Sequence, residues 1–409
     1  MYGNKYRYIT LKNKRLAFTL GLLAISMPAY LSTKYPILHR MWLAFFLGCF
    51  AIVMYNLITH ITKEDLSVVI FPFLLYVCLL ISTVLSHGLV SNALWKFLYR
   101  SYAIAFTLLC IKKDKWLFIK CFRDVIFVLI ALNMISIILY PNGLYYVRWL
   151  NGHQDWRYWF LGFKNSNEKF TLMAIMLSGI YFNYTNRLRD KSILYATILI
   201  SFASARAVKS TGGLVTSLLM SICVIIVTHK KGNKATLFRM RNYSIAVLAL
   251  FVLSVLTDIL LFNETVRHLL TDIIGEGTSV YTRVRIWRSV LNIVTSSPIL
   301  GIGTQGSQYN ASLIGVTQNT VDAHNFYLEI LLEGGIIAFI VMTLMFLKMT
   351  LSLDRTRAEK STRILAFGLF TLMALFLVEN TGNHLLWIFF AMCLIPDNLI
   401  SCPRQFSYR

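Results

Sequence analysis

The chain alternates long apolar stretches with short polar segments. Runs of about 17–25 apolar residues, long enough to cross the hydrocarbon core of a bilayer, recur along the whole sequence. The β-barrel pattern of alternating ten-residue segments is absent from it. Because lipid offers the backbone no hydrogen-bond partner, the pattern predicts an all-α polytopic helix bundle. We predict twelve spans, near residues 16–32, 40–59, 67–86, 93–110, 117–140, 168–184, 192–205, 212–228, 243–262, 324–347, 364–378 and 385–400.

Two segments between predicted spans, 141–167 and 263–323, exceed ordinary loop length. Both are too rich in aromatic residues to be disordered, so we expect them to be functional. The predicted organisation is a nine-span N-terminal bundle at 1–262, a large loop with amphipathic helices at 263–323, and C-terminal transmembrane helices at 324–409.

Composition and charge place the chain in a membrane. Of the 409 residues, 57% are hydrophobic and 14% charged, too few polar residues for a soluble protein of this length. The net charge of +22 is not a nucleic-acid signal, because Lys and Arg gather in alternate loops, for example at Lys112, Lys113, Lys115, Arg187, Arg189, Lys191, Lys230, Lys231 and Lys234. The positive-inside rule then predicts cytoplasmic termini and places both long segments outside. The first span follows a basic leader and lacks a cleavage site, so we interpret it as an uncleaved anchor.

The seven cysteines lie in or beside predicted spans and form no CxxC pair. We therefore assign them to apolar packing. The sequence predicts neither a disulfide nor a metal site.

The first long segment is dense in aromatic residues: Tyr145, Tyr146, Trp149, Trp156, Tyr158, Trp159 and Phe160. These side chains suit an interfacial belt, which needs no ligand. They equally suit sugar binding, because flat rings stack on the apolar face of a pyranose. In that case Asn165 and Asn167 would supply neutral hydrogen bonds to hydroxyls.

The second long segment contains an amphipathic helix at 279–297, which we expect to lie along the membrane surface or to cap the bundle. Its apolar stripe is Val280, Arg283, Val284, Trp287, Val290, Leu291 and Val294. Arg283 interrupts this stripe and is costly there unless an anionic ligand or an acidic side chain pairs with it, or unless it snorkels. Arg285 and Arg288 fall on the opposite face and suit solvent or headgroups, and Arg288 is a further candidate anion ligand.

Two further motifs differ in what they indicate: one is a candidate site and the other is a turn. Arg206, at the outer end of the seventh span with Lys209 close behind, is an ionisable residue at membrane depth and hence a candidate site residue, with snorkelling as the alternative. The string "GIGTQG" at 301–306 matches a dinucleotide fingerprint only in letters, because no strand precedes it. We interpret it as a tight turn.

The segment "DAHNFYLEILLEGG" at 322–335 places a histidine at the mouth of an apolar helix. We predict that Asp322 caps this helix and that His324 lies in its first turn. The positive end of the helix dipole would then offer free N–H groups to an anion and keep the imidazole neutral. A neutral histidine near anion-binding arginines can activate a hydroxyl against a phosphate-activated substrate. The alternative is an ordinary water-facing interfacial histidine.

The strings "RVRIW", "SSPILGIG" (296–303) and "AHNFYLEILLEGGIIAF" (323–339) resemble the O-antigen ligase and Wzy-type polymerase superfamily of bacterial integral-membrane glycosyltransferases. "GFKNSNEKF" (162–170) and "SARA" (204–207) are similar to an Asn-containing span entry and an arginine-bearing stretch of that family, although "VKS" after Arg206 departs from its usual apolar continuation. The hydropathy layout of the whole chain also resembles the family.

The resemblance implies a GT-C-like fold that transfers sugars from undecaprenyl diphosphate on the outer face of the cytoplasmic membrane, with no nucleotide sugar, cofactor or required metal. It implies His324 as the catalytic base and Arg206 and Arg283 as diphosphate ligands. Trp287, Asn325 and Glu379 are weaker candidates for sugar or acceptor binding. Glu379 stands with Asn380 and His384 at another span boundary, where ordinary end-of-helix polar residues are equally expected.

Three functions are candidates. A polymerase would move a growing glycan onto a second lipid-linked repeat unit, to build capsular, exopolysaccharide or O-antigen chains. A ligase would use the same donor with lipid A–core as acceptor. The aromatic segment favours the polymerase, for which a chain-length regulator and a flippase are expected partners. A flippase or exporter would require inverted repeats or broken helices near the midplane, and the sequence contains no internal repeat.

Overall fold

The protein is described here from a computed structural model that covers residues 2–148, 155–229, 238–261, 277–316, 322–380 and 384–399. The described helices are α1 (Tyr2–Ala24), α2 (Ala29–Lys34), α3 (Pro36–His60), α4 (Lys63–Leu85), α5 (Val90–Leu139), α6 (Asn167–Thr185), α7 (Leu188–Ala207), α8 (Thr211–His229), α9 (Met240–Leu261), α10 (Gly277–Ser296), α11 (Ser307–Ile314), α12 (Phe326–Arg355), α13 (Lys360–Leu375) and α14 (Leu385–Leu394). The predicted all-α bundle is thereby confirmed.

Among the described residues, five helices are long and apolar enough to cross a bilayer by length and composition: α3, α4, α5, α8 and α12. Helix α5 contains two predicted spans, 93–110 and 117–140. Its backbone leaves helical geometry at Asp114, where φ is −168° and ψ is 88°, so the helix has two limbs. The total of twelve spans stays a prediction.

The first predicted span, 16–32, is wrong as a continuous helix. Helix α1 ends at Ala24, and α2 begins only at Ala29. Between them stands Pro28, which lacks an N–H and pushes the residue before it into extended geometry. The last predicted span, 385–400, is also shorter than expected, because α14 ends at Leu394 and a 3₁₀ turn, Pro396–Leu399, follows.

The aromatic segment contains a small antiparallel sheet, which the prediction of a purely helical chain missed. Strand β1 (Tyr145–Arg148) pairs with β2 (Asp155–Trp159), and β2 pairs with β3 (Gly162–Phe163). Tyr145 packs against Tyr158 across the first pair, and burial raises the pKa of its hydroxyl to about 12. Trp149 lies outside the described residues.

Helix α10 confirms the predicted amphipathic helix. Val284, Trp287, Val290 and Val294 are buried, whereas Arg285, Arg288 and Asn292 are exposed. The buried side packs against Leu328 and Leu332 of α12. This packing fits the predicted placement that caps the bundle, and the placement along the membrane surface stays a prediction.

Helix α12 is broken at Gly335, where φ is 61° and ψ is −164°. The loop 298–303 lies against the break. It supplies carbonyl acceptors from Pro298 and Ile299 to the amides of Ile336 and Ile337, and its own amides at 302 and 303 donate to Leu332 and Glu333. These backbone N–H and C=O groups, which lose their helical partners at the break, are thus hydrogen-bonded within the protein, as a membrane environment requires. The "GIGTQG" string begins in this loop, with positive φ at Gly301 and Gly303.

Substituting Gly335 with alanine is expected to destabilise the protein by about 3 kcal/mol, because this backbone conformation is reserved for glycine and an added Cβ collides with the Ile299 carbonyl. Thermal unfolding in detergent measures the loss. Gly48→Ala is the control, because a Cβ at 48 meets nothing within 4 Å. Equal stability of the two variants would contradict this account of the break.

Candidate functional site

A cavity of about 370 Å³ collects charged side chains from four separate parts of the chain. We call it the charged cavity. Its polar end contains three cations and two acids, and its other end is apolar, between α8 and α13. The lining residues are Lys164, Asn165, Glu168, Lys209, Ser210, Thr211, Gly212, Val215, Thr216, Leu219, Arg283, Thr371, Ala374, Leu375, Val378 and Glu379.

Three residues singled out from the sequence meet in this cavity. Nη2 of Arg283 donates to Oε1 of Glu379 at 2.8 Å. Nδ2 of Asn165 donates to the same oxygen at 2.9 Å. Arg283 therefore has the acidic partner that was one of the sequence-based alternatives. Because a guanidinium has five N–H donors, this single contact leaves capacity for an anionic ligand as well.

Lys209 and Lys164 supply the other two cations. Lys209 stands between α7 and α8 with φ of 54°, in the left-handed region that costs a non-glycine residue about 1 kcal/mol or more. Such strain often accompanies a functional position. Arg206, predicted to bind the diphosphate, is exposed in the last turn of α7 and does not line the charged cavity.

A second cavity, of about 630 Å³, lies beside the sheet and shares Lys164 and Lys209 with the charged cavity. We call it the aromatic cavity. Trp156, Trp159 and Phe163 give it broad apolar faces. The lining residues are Pro141, Asn142, Trp156, Arg157, Trp159, Phe163, Lys164, Ala207, Val208 and Lys209.

Several candidates lie away from both cavities. Asn167 is buried, and its Oδ1 accepts a hydrogen bond from Asn133 at 3.1 Å. Trp287 packs in the core under α10, whereas Arg288 is on the exposed face of that helix. These residues do not line either cavity, and their roles in binding stay predictions.

The start of α12 differs from the prediction. Asn325, not Asp322, caps the helix, and its Oδ1 accepts from the amides of Tyr327 and Leu328. The amide of Phe326 donates to Phe376. These amides are therefore satisfied, so the predicted anion site at the helix end is wrong. His324 lies two residues before the helix rather than in its first turn.

His324 is held in a left-handed turn, with φ of 45°. The Asp322 carboxylate accepts a hydrogen bond from its amide at 2.8 Å and lies 3.5 Å from Nδ1 of the ring. The amide of Ala323 donates to the buried carboxylate of Glu329 at 2.8 Å. Two acids thus fix the backbone that presents the imidazole, of which 39% is exposed.

The His324 turn and the Arg283 network meet at the end of α13. Nδ2 of Asn325 donates to the carbonyl of Leu377 at 3.0 Å. Glu379, the partner of Arg283, follows two residues later, within about 7 Å along the chain. His324 itself is not among the residues that line the charged cavity, so the turn lies next to the cavity without lining it.

Glu168, Ser210 and Lys164 are site residues that the sequence argument missed. Glu168 is 2% exposed in the first turn of α6. Its Oε1 accepts from Oγ of Ser210 at 2.8 Å. The available signal was an acid followed by a lysine at the start of an apolar span, a placement that is usually costly in a membrane.

The match to a family model covers a little over a third of the chain. Residues 195–343 match the model described as O-Antigen ligase. The matched region includes Lys209, Arg283 and His324 but not Glu168 or Glu379. No curated protein and no solved structure matches the chain. Together with the apolar helices and the motifs, this match to part of the chain supports the resemblance to the O-antigen ligase and Wzy-type polymerase superfamily.

Proposed function

We propose that the protein polymerises lipid-linked oligosaccharide repeat units. A hydroxyl oxygen of one lipid-linked unit attacks the anomeric carbon of the glycan on another. The bond from that carbon to the diphosphate oxygen breaks, and undecaprenyl diphosphate leaves with the electron pair. A base takes the hydroxyl proton. Both termini would be cytoplasmic and the reaction would occur outside the cytoplasmic membrane.

The observation that carries this proposal is the two-ended charged cavity. Lys164, Lys209 and Arg283 at one end suit the charge of a diphosphate. Val215, Leu219 and Val378 at the other end suit a polyprenyl chain. These three apolar side chains are 36–49% exposed, so an apolar chain could reach them from the surface of the bundle. An amphipathic lipid diphosphate is arranged in the same way, with a charged headgroup at one end and an apolar chain at the other.

The aromatic cavity supports a glycan acceptor. Trp156 and Phe163 are half-buried aromatic side chains in its lining, on which sugars can stack. Lys164 and Lys209 lie at the junction of the two cavities, so a glycan in one would end beside the diphosphate in the other. This adjacency favours a sugar hydroxyl as the acceptor.

His324 is the base in this proposal. The nearby Asp322 carboxylate would accept the Nδ1 proton after a small rotation of the ring and leave Nε2 to receive the hydroxyl proton. Arg283 would stabilise the negative charge on the leaving diphosphate. In this arrangement Glu379 and Asn165 orient the guanidinium.

The test uses purified full-length protein in nanodiscs with a lipid-linked repeat unit as the sole substrate. A ladder of polymer lengths on a gel is the expected result. If product forms only after lipid A–core is added, the protein is a ligase. If the donor is consumed under neither condition, the proposal is wrong.

A further inference from the structure

Glu168 is a buried acid that the proposed reaction does not yet use. Its Oε1 accepts a hydrogen bond from Oγ of Ser210 at 2.8 Å. The same Oγ accepts a hydrogen bond from the backbone amide of Gly213 at 3.2 Å. Among the described residues, Oε2 has no hydrogen-bond partner. A buried ionised carboxylate normally accepts several hydrogen bonds, and an unmatched oxygen is costly. Within the described part of the chain this oxygen is therefore open to a hydrogen-bond donor from a bound molecule.

The neighbouring acid provides a direct comparison. Glu379 lines the same cavity, but its Oε1 already accepts from Arg283 and Asn165. Of the two acids, Glu168 is the one whose Oε2 is both buried and without a hydrogen-bond partner among the described residues. Gly212 makes room for it, because a Cβ there would lie 2.5 Å from Oε1 of Glu168. The carboxylate is thus fixed by one serine and accommodated by one glycine.

The charges in the cavity indicate what the donor is. Lys164, Lys209 and Arg283 suit a diphosphate, whereas a carboxylate repels one. The part of a lipid-linked glycan that donates hydrogen bonds and lies next to the diphosphate is the sugar ring bonded to it. We propose that Oε2 of Glu168 accepts a hydrogen bond from a hydroxyl of this first sugar and fixes its anomeric carbon for attack. The proposal rests on the proposed function.

The experiment compares two lipids on the full-length protein in nanodiscs: undecaprenyl diphosphate without a sugar, and a lipid-linked repeat unit. The wild type should bind the sugar-bearing lipid more tightly. Glu168→Gln should weaken binding of that lipid about tenfold, because a charge-assisted hydrogen bond becomes a neutral one. Binding of the sugar-free lipid should not weaken, because the substitution removes a charge that repels the diphosphate. The thermal midpoint should not fall, because the substitution is isosteric and removes an uncompensated charge.

Ser178→Ala is the matched control. Ser178 is buried further along the same helix and contacts Thr197, away from both cavities. It should leave the affinity for both lipids unchanged. Equal losses for the two lipids in Glu168→Gln would assign Glu168 to a structural or headgroup role and overturn the proposal. So would a wild type that does not distinguish the lipids.

These outcomes are independent of polymerisation itself. A wild type that distinguishes the lipids through Glu168 but makes neither polymer nor ligated product would refute the proposed function and leave the sugar contact standing. If the wild type polymerises and Glu168→Gln still prefers the sugar-bearing lipid, the proposed function stands and the sugar contact of Glu168 is refuted.

Discussion

Arg283→Met is expected to lower kcat/KM for glycan transfer about 10²–10³-fold, because the diphosphate loses a cation aimed at its developing charge. The methionine retains an unbranched apolar stem but has no guanidinium. It also leaves Glu379, whose side chain is 13% exposed, without its cationic partner. Polymer yield at limiting donor concentration measures the loss. Arg285→Met is the control, because Arg285 is exposed on the other side of α10 and should retain activity.

A double variant separates binding of the donor from pairing with the acid. If Arg283 serves only to neutralise Glu379, replacing both residues in Arg283→Met/Glu379→Gln should restore activity. If Arg283 binds the diphosphate, the double variant should regain thermal stability while transfer stays low. Recovered transfer would remove Arg283 from the donor site and leave the ion pair as its whole role.

Lys209→Gly tests a second cation of the charged cavity without straining the backbone. Because Lys209 has positive φ, glycine fits its backbone without strain, and stability should change by less than about 1 kcal/mol. We expect affinity for sugar-free undecaprenyl diphosphate to fall about tenfold through loss of one phosphate contact. Unchanged affinity would exclude Lys209 from the headgroup site.

Arg283 and the helix that carries it could be found in the sequence for one physical reason. An apolar stripe at helical spacing predicts a buried face, and a guanidinium inside that stripe requires a partner. The structure provides both the buried face and Glu379. Most helices were likewise predictable, because lipid requires long apolar runs whatever the tertiary contacts are.

The charged cavity could not be predicted as a whole. Its polar residues come from positions near 165, 209, 283 and 379, and only packing brings these together. Glu168 also has a common local explanation, because acids favour the first turn of a helix. Glu168 is distinguished by its burial and by its Oε2, which has no hydrogen-bond partner among the described residues. Neither feature can be inferred from the amino-acid sequence. Arg206 shows the converse, since its motif points to a site while its side chain is exposed.

The start of α12 was mispredicted because two good capping residues stand three apart. Asp and Asn both favour the N-cap. The chain uses Asn325 to cap the helix and Asp322 to receive the amide of His324. A left-handed residue between the two caps turns the backbone, and helical periodicity cannot reveal such a turn. Asparagine and histidine tolerate this conformation better than most residues.

That conformation determines how His324 is best tested. His324→Ala would combine loss of the imidazole with backbone strain, whereas asparagine tolerates φ of 45° and has no basic nitrogen. We therefore expect His324→Asn to keep the thermal midpoint and the affinity for the lipid donor, and to lower kcat about 10²–10⁴-fold by removing general base catalysis. Single-turnover transfer in nanodiscs separates this step from binding. Asp322→Asn, which can still accept the His324 amide, should show a smaller loss because only the ring's orientation is affected. A His324→Asn enzyme that transfers glycan at the wild-type rate would show that another group takes the hydroxyl proton.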